Sequence, residues 1–178
     1  TRRLFTCLLG AGPALLPVWE TLDEAGLVDA WLPEWRRVRC APQWSPVHRH
    51  TLDRHLLETC REAAALVREV SRPDLLLVAA LLHDIGKGLP GDHASNGAAL
   101  TREIAARMGF DASDVGVLAT LVRHHLLLIE TATQRDLDDA TTVRNVAVEV
   151  SDADTLDLLA ALTRADARAT GGAAWTPW

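Results

Sequence analysis

The sequence predicts an all-α fold: a helical bundle with a metal site where several helices converge. Three observations carry that expectation. Leu and Ala dominate while aromatic residues make up 4% and Tyr is absent, which favours helices over strands. Apolar residues recur at spacings of three, four and seven along much of the chain. Eight consecutive apolar residues, Leu75 to Leu82, run directly into His83-Asp84. That run is too short to span a bilayer, which needs ~20 apolar residues, so it reads as a helix buried on nearly every side. A histidine and a carboxylate buried at its end without partners would cost several kcal/mol. A bound cation is the simplest compensation.

The elements follow in order. Leu4 to Leu9 is short and apolar and ends at Gly10-Ala11-Gly12, and Pro13 suits the first turn of a helix running toward Gly26 with Leu15, Leu16, Trp19 and Leu22 inward. Pro33, Pro42 and Pro46 punctuate a stretch holding Trp31, Trp35 and Trp44, which read as packing anchors. From Thr51 to Val70 a helix is expected, with Leu52, Leu56, Ala63, Val67 and Val70 inward and His55 beside the stripe. The buried helix follows Ser71-Arg72-Pro73-Asp74 and breaks at Ile85-Gly86-Lys87-Gly88, where Gly86 or Gly88 can take positive φ. Asp92 caps a helix ending near Met108-Gly109; Asp111 or Ser113 opens another, with Val117, Leu118, Leu121 and Val122 inward and His124-His125 on the same arc. Thr131 to Asp139 reads as a polar loop, followed by helices at about Thr141–Val150 and Ala153–Thr170. Residues 1–46 are expected to form a helical approach segment and residues 47–178 the core.

Composition narrows the function classes. Hydrophobic residues at 48% and charged residues at 24% are ordinary for one globular domain of 178 residues. A formal charge of −6 argues against nucleic acid as a partner. Three cysteines, Cys7, Cys40 and Cys60, form no CxxC pair, which argues against a disulfide scaffold and fits a reducing, cytoplasmic setting. No signal peptide, transmembrane run or lipidation signal is evident, so no membrane partner is expected. The start at Thr1 and the end at Trp178, just beyond a helical pattern, suggest a piece of a longer protein.

The chemistry lies in a dispersed set of ligand types. His55, His83, His93, His124 and His125 sit at the edges or starts of apolar helices, and Asp84 shares that placement. Asp166 comes seven residues after Leu159, on the apolar face of the last helix. One such residue is ordinarily structural, a hydrogen-bonded histidine or a helix-end carboxylate paired with Arg164 or Arg168. Together they exceed what one ion needs. Two ions bridged by a carboxylate would use them, activating a water and stabilising a phosphoryl transition state.

The pattern His55…His83-Asp84…Asp166 resembles the signature of the HD phosphohydrolase superfamily, and Lys87, His93 and His124-His125 resemble additions found in its binuclear members. Further stretches resemble the HD domain of bifunctional uridylyltransferase/uridylyl-removing enzymes, which act on the PII nitrogen-signalling protein. They are Leu32-Pro33-Glu34, His48 to His55, His83 to Gly88, Gly91-Asp92-His93, Val122 to Leu126, Arg135 to Asp138 and Ala165 to Thr170. The acidic and Gly-Tyr-Pro motifs of cyclic-di-GMP hydrolases are absent after His125, and Arg49-His50 stand where relatives often place an aromatic.

The resemblance implies a metal-dependent phosphodiesterase that removes UMP or AMP from a tyrosine of PII. It implies metal ligation by His55, His83, Asp84 and Asp166 at one ion and by His93, His124 and His125 at the second, with Asp84 shared. Lys87 would meet a phosphate oxygen or the attacking water; Gln134 and Arg135 would serve the substrate. Asp84 and Lys87 are the expected catalytic residues. Mn²⁺ is favoured, with Mg²⁺ or Fe²⁺ as alternatives. Nucleotidyltransferase and ACT domains are expected elsewhere in the parent chain. A hydrolase of free nucleotides and a non-catalytic nucleotide-binding module are the competing readings.

Overall fold

The computed structural model describes residues 2–44, 47, 49–172 and 174–175; Pro46, His48 and Trp178, used in the sequence reading, lie outside them. Among the described residues every regular element is helical, as the composition predicts. In chain order these are α1 (Arg2–Leu9), a 3-10 turn (Gly12–Ala14), α2 (Leu15–Glu24), α3 (Leu27–Trp31), α4 (Trp35–Val38), α5 (Leu52–Ala64) and α6 (Pro73–Leu82). They continue with α7 (His93–Arg107), α8 (Ala112–Arg123), α9 (Leu127–Gln134), α10 (Ala140–Val150) and α11 (Ala153–Thr170).

Helix α6 is the axis of the fold. Pro73 starts it, where a missing N–H costs nothing. All eight residues from Leu75 to Leu82 are buried, enclosed by α1, α5, α8 and α11. At ~1.5–3 kcal/mol per large apolar side chain, this run is a principal source of stability, and it fixes where His83 and Asp84 emerge.

Four aspartates cap the surrounding helices. Asp92, Asp111, Asp139 and Asp152 accept backbone N–H bonds from Ser95, Asp114, Thr141 and Thr155 at 2.8–2.9 Å, each cap being worth ~1 kcal/mol. Arg72 binds both oxygens of Asp114 at 2.7 and 2.8 Å, tying the entry of α6 to the first turn of α8. Trp19 and Trp35 are buried with ring centroids 4.9 Å apart, which joins α2 and α4.

Several expectations change. The helix predicted to Val70 ends at Ala64 and continues as turns, with Leu66 rather than Val67 or Val70 fully in the core. Trp35 is a packing anchor, but Trp44 is 91% exposed. Thr131 to Gln134 is the end of α9 rather than part of a loop. Nothing before Arg135 breaks the helix, and the Thr133 hydroxyl, which could compete with it, bonds back to the Ile129 carbonyl at 2.7 Å. Taken together, α8 and α9 make a 23-residue stretch whose most apolar 18 residues have a mean hydropathy of 1.3, long and apolar enough to cross a bilayer. Its Leu118, Leu121 and Val122 pack into the core and its middle carries His124-His125, so it forms a wall of the site described next.

Candidate metal centre

Five elements deliver the side chains. His55 comes from α5, His83 and Asp84 from the end of α6, His93 from the first position of α7, His125 from the turn after α8, and Asp166 from α11. Their approach depends on Gly86. A Cβ there would collide with the His93 carbonyl oxygen and the Gly97 amide, so only glycine lets the α6 turn touch the start of α7. Gly88, at φ +83°, supplies the left-handed residue.

The cluster divides into two groups of three, His55-His83-Asp166 and Asp84-His93-His125; within each, one ligand atom per residue lies within 4.8 Å of the others. Asp84 stands between them. Its Oδ2 is 3.4 Å from His83 Nε2 and 3.9 Å from His55 Nε2, while its Oδ1 is 3.6 Å from His125 Nε2 and 3.7 Å from His93 Nε2. One carboxylate thus faces both groups with different oxygens, as a bridging ligand does.

The donor set fits divalent cations. His83 Nδ1 lies 2.9 Å from the Ala80 carbonyl and His125 Nδ1 lies 2.8 Å from that of Val122. A carbonyl only accepts, so each Nδ1 carries the proton and each Nε2 turns a lone pair inward. His55 and His83 bring their Nε2 atoms to 3.2 Å of one another, and His55 Nε2 is 3.0 Å from Asp166 Oδ1. Asp84 Oδ1 is buried without a hydrogen-bond partner. Leaving such an atom unsatisfied is costly, and a cation among these donors removes the cost.

The electrostatics agree. Burial pushes the Asp84 carboxyl up, but the His83 imidazole, then Lys87 and His125, overcome it and hold Asp84 well below the usual range. Burial likewise opposes ionisation of Asp166, which the His83 charge and the His55 hydrogen bond bring down to about 2. Burial, reinforced by His83, lowers His125 to about 4, leaving it neutral at pH 7. For His83, burial acts downward and the two carboxylates raise it.

Seven of the predicted residues converge here: His55, His83, Asp84, His93, His125, Asp166 and Lys87, whose Nζ is 2.6 Å from Asp84 Oδ2. His124 does not. Helix α8 ends at Arg123, the backbone turns at His124 (φ −112°), and the His124 ring lies 3.4 Å from Glu149 Oε2 on α10. Gln134 and Arg135 are exposed, and no hydrogen bond or ion pair joins either to the cluster. Two residues without a sequence signal do touch the site's edge. Gln43 Oε1 accepts from Lys87 at 2.8 Å, and Arg37 Nη2 donates to the Ile85 carbonyl at 2.8 Å. Gln43 lies in an irregular stretch with no periodicity to mark its direction.

Comparison with known proteins is consistent with this geometry. A model of the HD domain matches residues 52–162. A Streptomyces coelicolor protein named bifunctional uridylyltransferase/uridylyl-removing enzyme is 60% identical over 177 residues, covering 99% of this chain and 21% of its own length. Proteins of the same name from Mycobacterium tuberculosis and Gluconobacter oxydans are 46% and 39% identical, over 96% and 94% of this chain. The chain spans about a fifth of the length of these relatives.

Proposed function

From the premise that this chain belongs to the HD domain family, we propose that it is the hydrolytic module of a uridylyl-removing enzyme, a metal-dependent phosphodiesterase. Its substrate is nucleotidylated PII, and it cleaves the bond joining a nucleoside monophosphate to a tyrosine oxygen. Water oxygen joins phosphorus, the P–O(tyrosine) bond breaks, and the tyrosine oxygen leaves with a proton. The single observation carrying this reading is Asp84 set between two three-residue donor groups.

His55, His83 and Asp166 would hold one ion and His93 and His125 the other, with Asp84 shared; Mn²⁺ suits the mixed imidazole and carboxylate donors, with Fe²⁺ or Mg²⁺ as alternatives. Bound there, the ions would supply an activated water and offset charge on the phosphoryl group. Lys87, fixed by Asp84 and Gln43, presents an ammonium charge beside the phosphate position. Gln134 and Arg135, exposed at the end of α9, are assigned to hydrogen-bonding the substrate. Nucleotidyltransferase and ACT domains of a longer cytoplasmic enzyme complete the proposal.

The test is incubation of the chain with uridylylated PII and Mn²⁺, with adenylylated PII in parallel. Release of UMP or AMP that stops on chelation is expected. Hydrolysis of free nucleotides with intact nucleotidyl-PII would replace this reading with the free-nucleotide one.

A further inference from the structure

A cleft of about 440 Å³ opens beside Lys87, between the chain following α4 and the Gly-rich turn after Asp84. Its lining combines groups of three kinds. Pro42 and Leu52 give it an apolar surface, Arg37 and Lys87 bring positive charge, and Gln43 adds an amide, with the Trp44 ring at 91% exposure beside them. Among the described residues no carboxylate lines it, although the protein as a whole carries −6.

The cleft is connected to the metal centre by two hydrogen bonds. Lys87 Nζ reaches Asp84 Oδ2 at 2.6 Å on one side and Gln43 Oε1 at 2.8 Å on the other. Gln43 Nε2 is directed toward the His50 carbonyl at 3.5 Å, long for a hydrogen bond and therefore easily exchanged for a better acceptor. Arg37 lies against Gly88 and holds the Ile85 carbonyl, so the cationic wall is braced by the turn that carries Asp84 and Lys87. A phosphate at the donor cluster therefore has, within a nucleoside's reach, an open cleft with an apolar floor, an amide and an exposed indole.

We propose that this cleft is the nucleoside subsite: the base of the departing nucleotide stacks on Trp44 over Pro42 and Leu52, and its polar edge exchanges hydrogen bonds with Gln43. The cleft volume lies within the range of small-molecule sites, and an exposed indole is a platform any base can use. The proposal rests on the nucleotidyl-removing reading above for the identity of its ligand. Recognition of the base then falls to the segment before α5 rather than to the metal-holding helices.

The experiment is calorimetric titration of the Mn²⁺-loaded chain with UMP, AMP and inorganic phosphate. The wild type should bind UMP or AMP more tightly than phosphate. Trp44→Ala should lower nucleotide affinity about tenfold, the scale of one base–aromatic stack, while phosphate affinity changes far less. Trp44→Phe should recover most of the loss. Trp44 makes no core contact that its exposure would reveal, and unchanged thermal unfolding of the variants checks this. Nucleotide affinity equal to that of phosphate, or unmoved by Trp44→Ala, would overturn the subsite, including the case in which the cleft takes part of a protein substrate. Release of UMP from PII alongside that result sinks the subsite and leaves the function standing. Trp44-dependent nucleotide binding without release from PII supports the subsite and sinks the function.

Discussion

Replacing Gly86 by alanine tests how the fold sets the spacing of the donor groups. The new Cβ would meet the His93 carbonyl and the Gly97 amide, both backbone, and its most relaxed contact of the three nearest, Gly97 Cα, would be at 2.9 Å. Ordinary carbon contacts begin near ~3.5 Å. Backbone cannot rotate away as a side chain can, so the α6 turn and the start of α7 must separate by at least about half an ångström. Overpacking of this kind costs about 1–3 kcal/mol. For a domain of this size each kcal/mol moves the midpoint by about 2–4 °C, so Tm should fall by roughly 2–12 °C. The same displacement draws His93 away from Asp84, now 3.7 Å off, while His55, His83 and Asp166 keep their places. Thermal unfolding by circular dichroism and Mn²⁺ titration by calorimetry read the two effects. Loss of affinity at one of two sites is expected. A variant with unchanged Tm and an unchanged Mn²⁺ isotherm would refute the reasoning.

Further outcomes follow from other contacts. Asp84→Ala should abolish both hydrolysis and tight metal binding, because its two oxygens face both groups; metal analysis and UMP release check it. His125→Ala should lose metal while His124→Ala retains it, since only the first ring points at Asp84; metal content after gel filtration decides. Arg72→Ala should cost about 1–2 kcal/mol at pH 7 by urea unfolding, a charge-assisted bond discounted for partial exposure. The Arg72 hydrogen bond lowers Asp114 below its usual 3.8, so the pair stabilises fully above that value and loses its contribution as pH falls through the lower folded value. The difference between Arg72→Ala and wild type should therefore shrink below about pH 4.

Much of this was legible in the sequence because strong local signals agreed with the tertiary outcome. The apolar run before His83 read as a core helix, Asp92 and Asp111 stood at the starts of periodic stretches, and Asp166 broke its own helix's pattern on the buried face. What was hidden depended on contacts distant in sequence or on where helices stop. His124 and His125 look equivalent until α8 ends at Arg123 and sends only the second ring inward. Gly86 reads as a flexible turn residue, yet its role is the close approach to Gly97, eleven residues along. Thr131 to Gln134 is polar because it faces solvent on a helix, not because it is a loop. Gln43 and Trp44 acquire meaning only when the chain folds them beside Lys87.

The most direct test of the central claim is an anomalous-scattering map from crystals of the chain soaked in Mn²⁺. Two peaks are predicted, one within ligand distance of His55, His83 and Asp166 and the other of His93 and His125, with Asp84 reaching both. No peak at this cluster, or Mn²⁺ bound only elsewhere, would contradict the account.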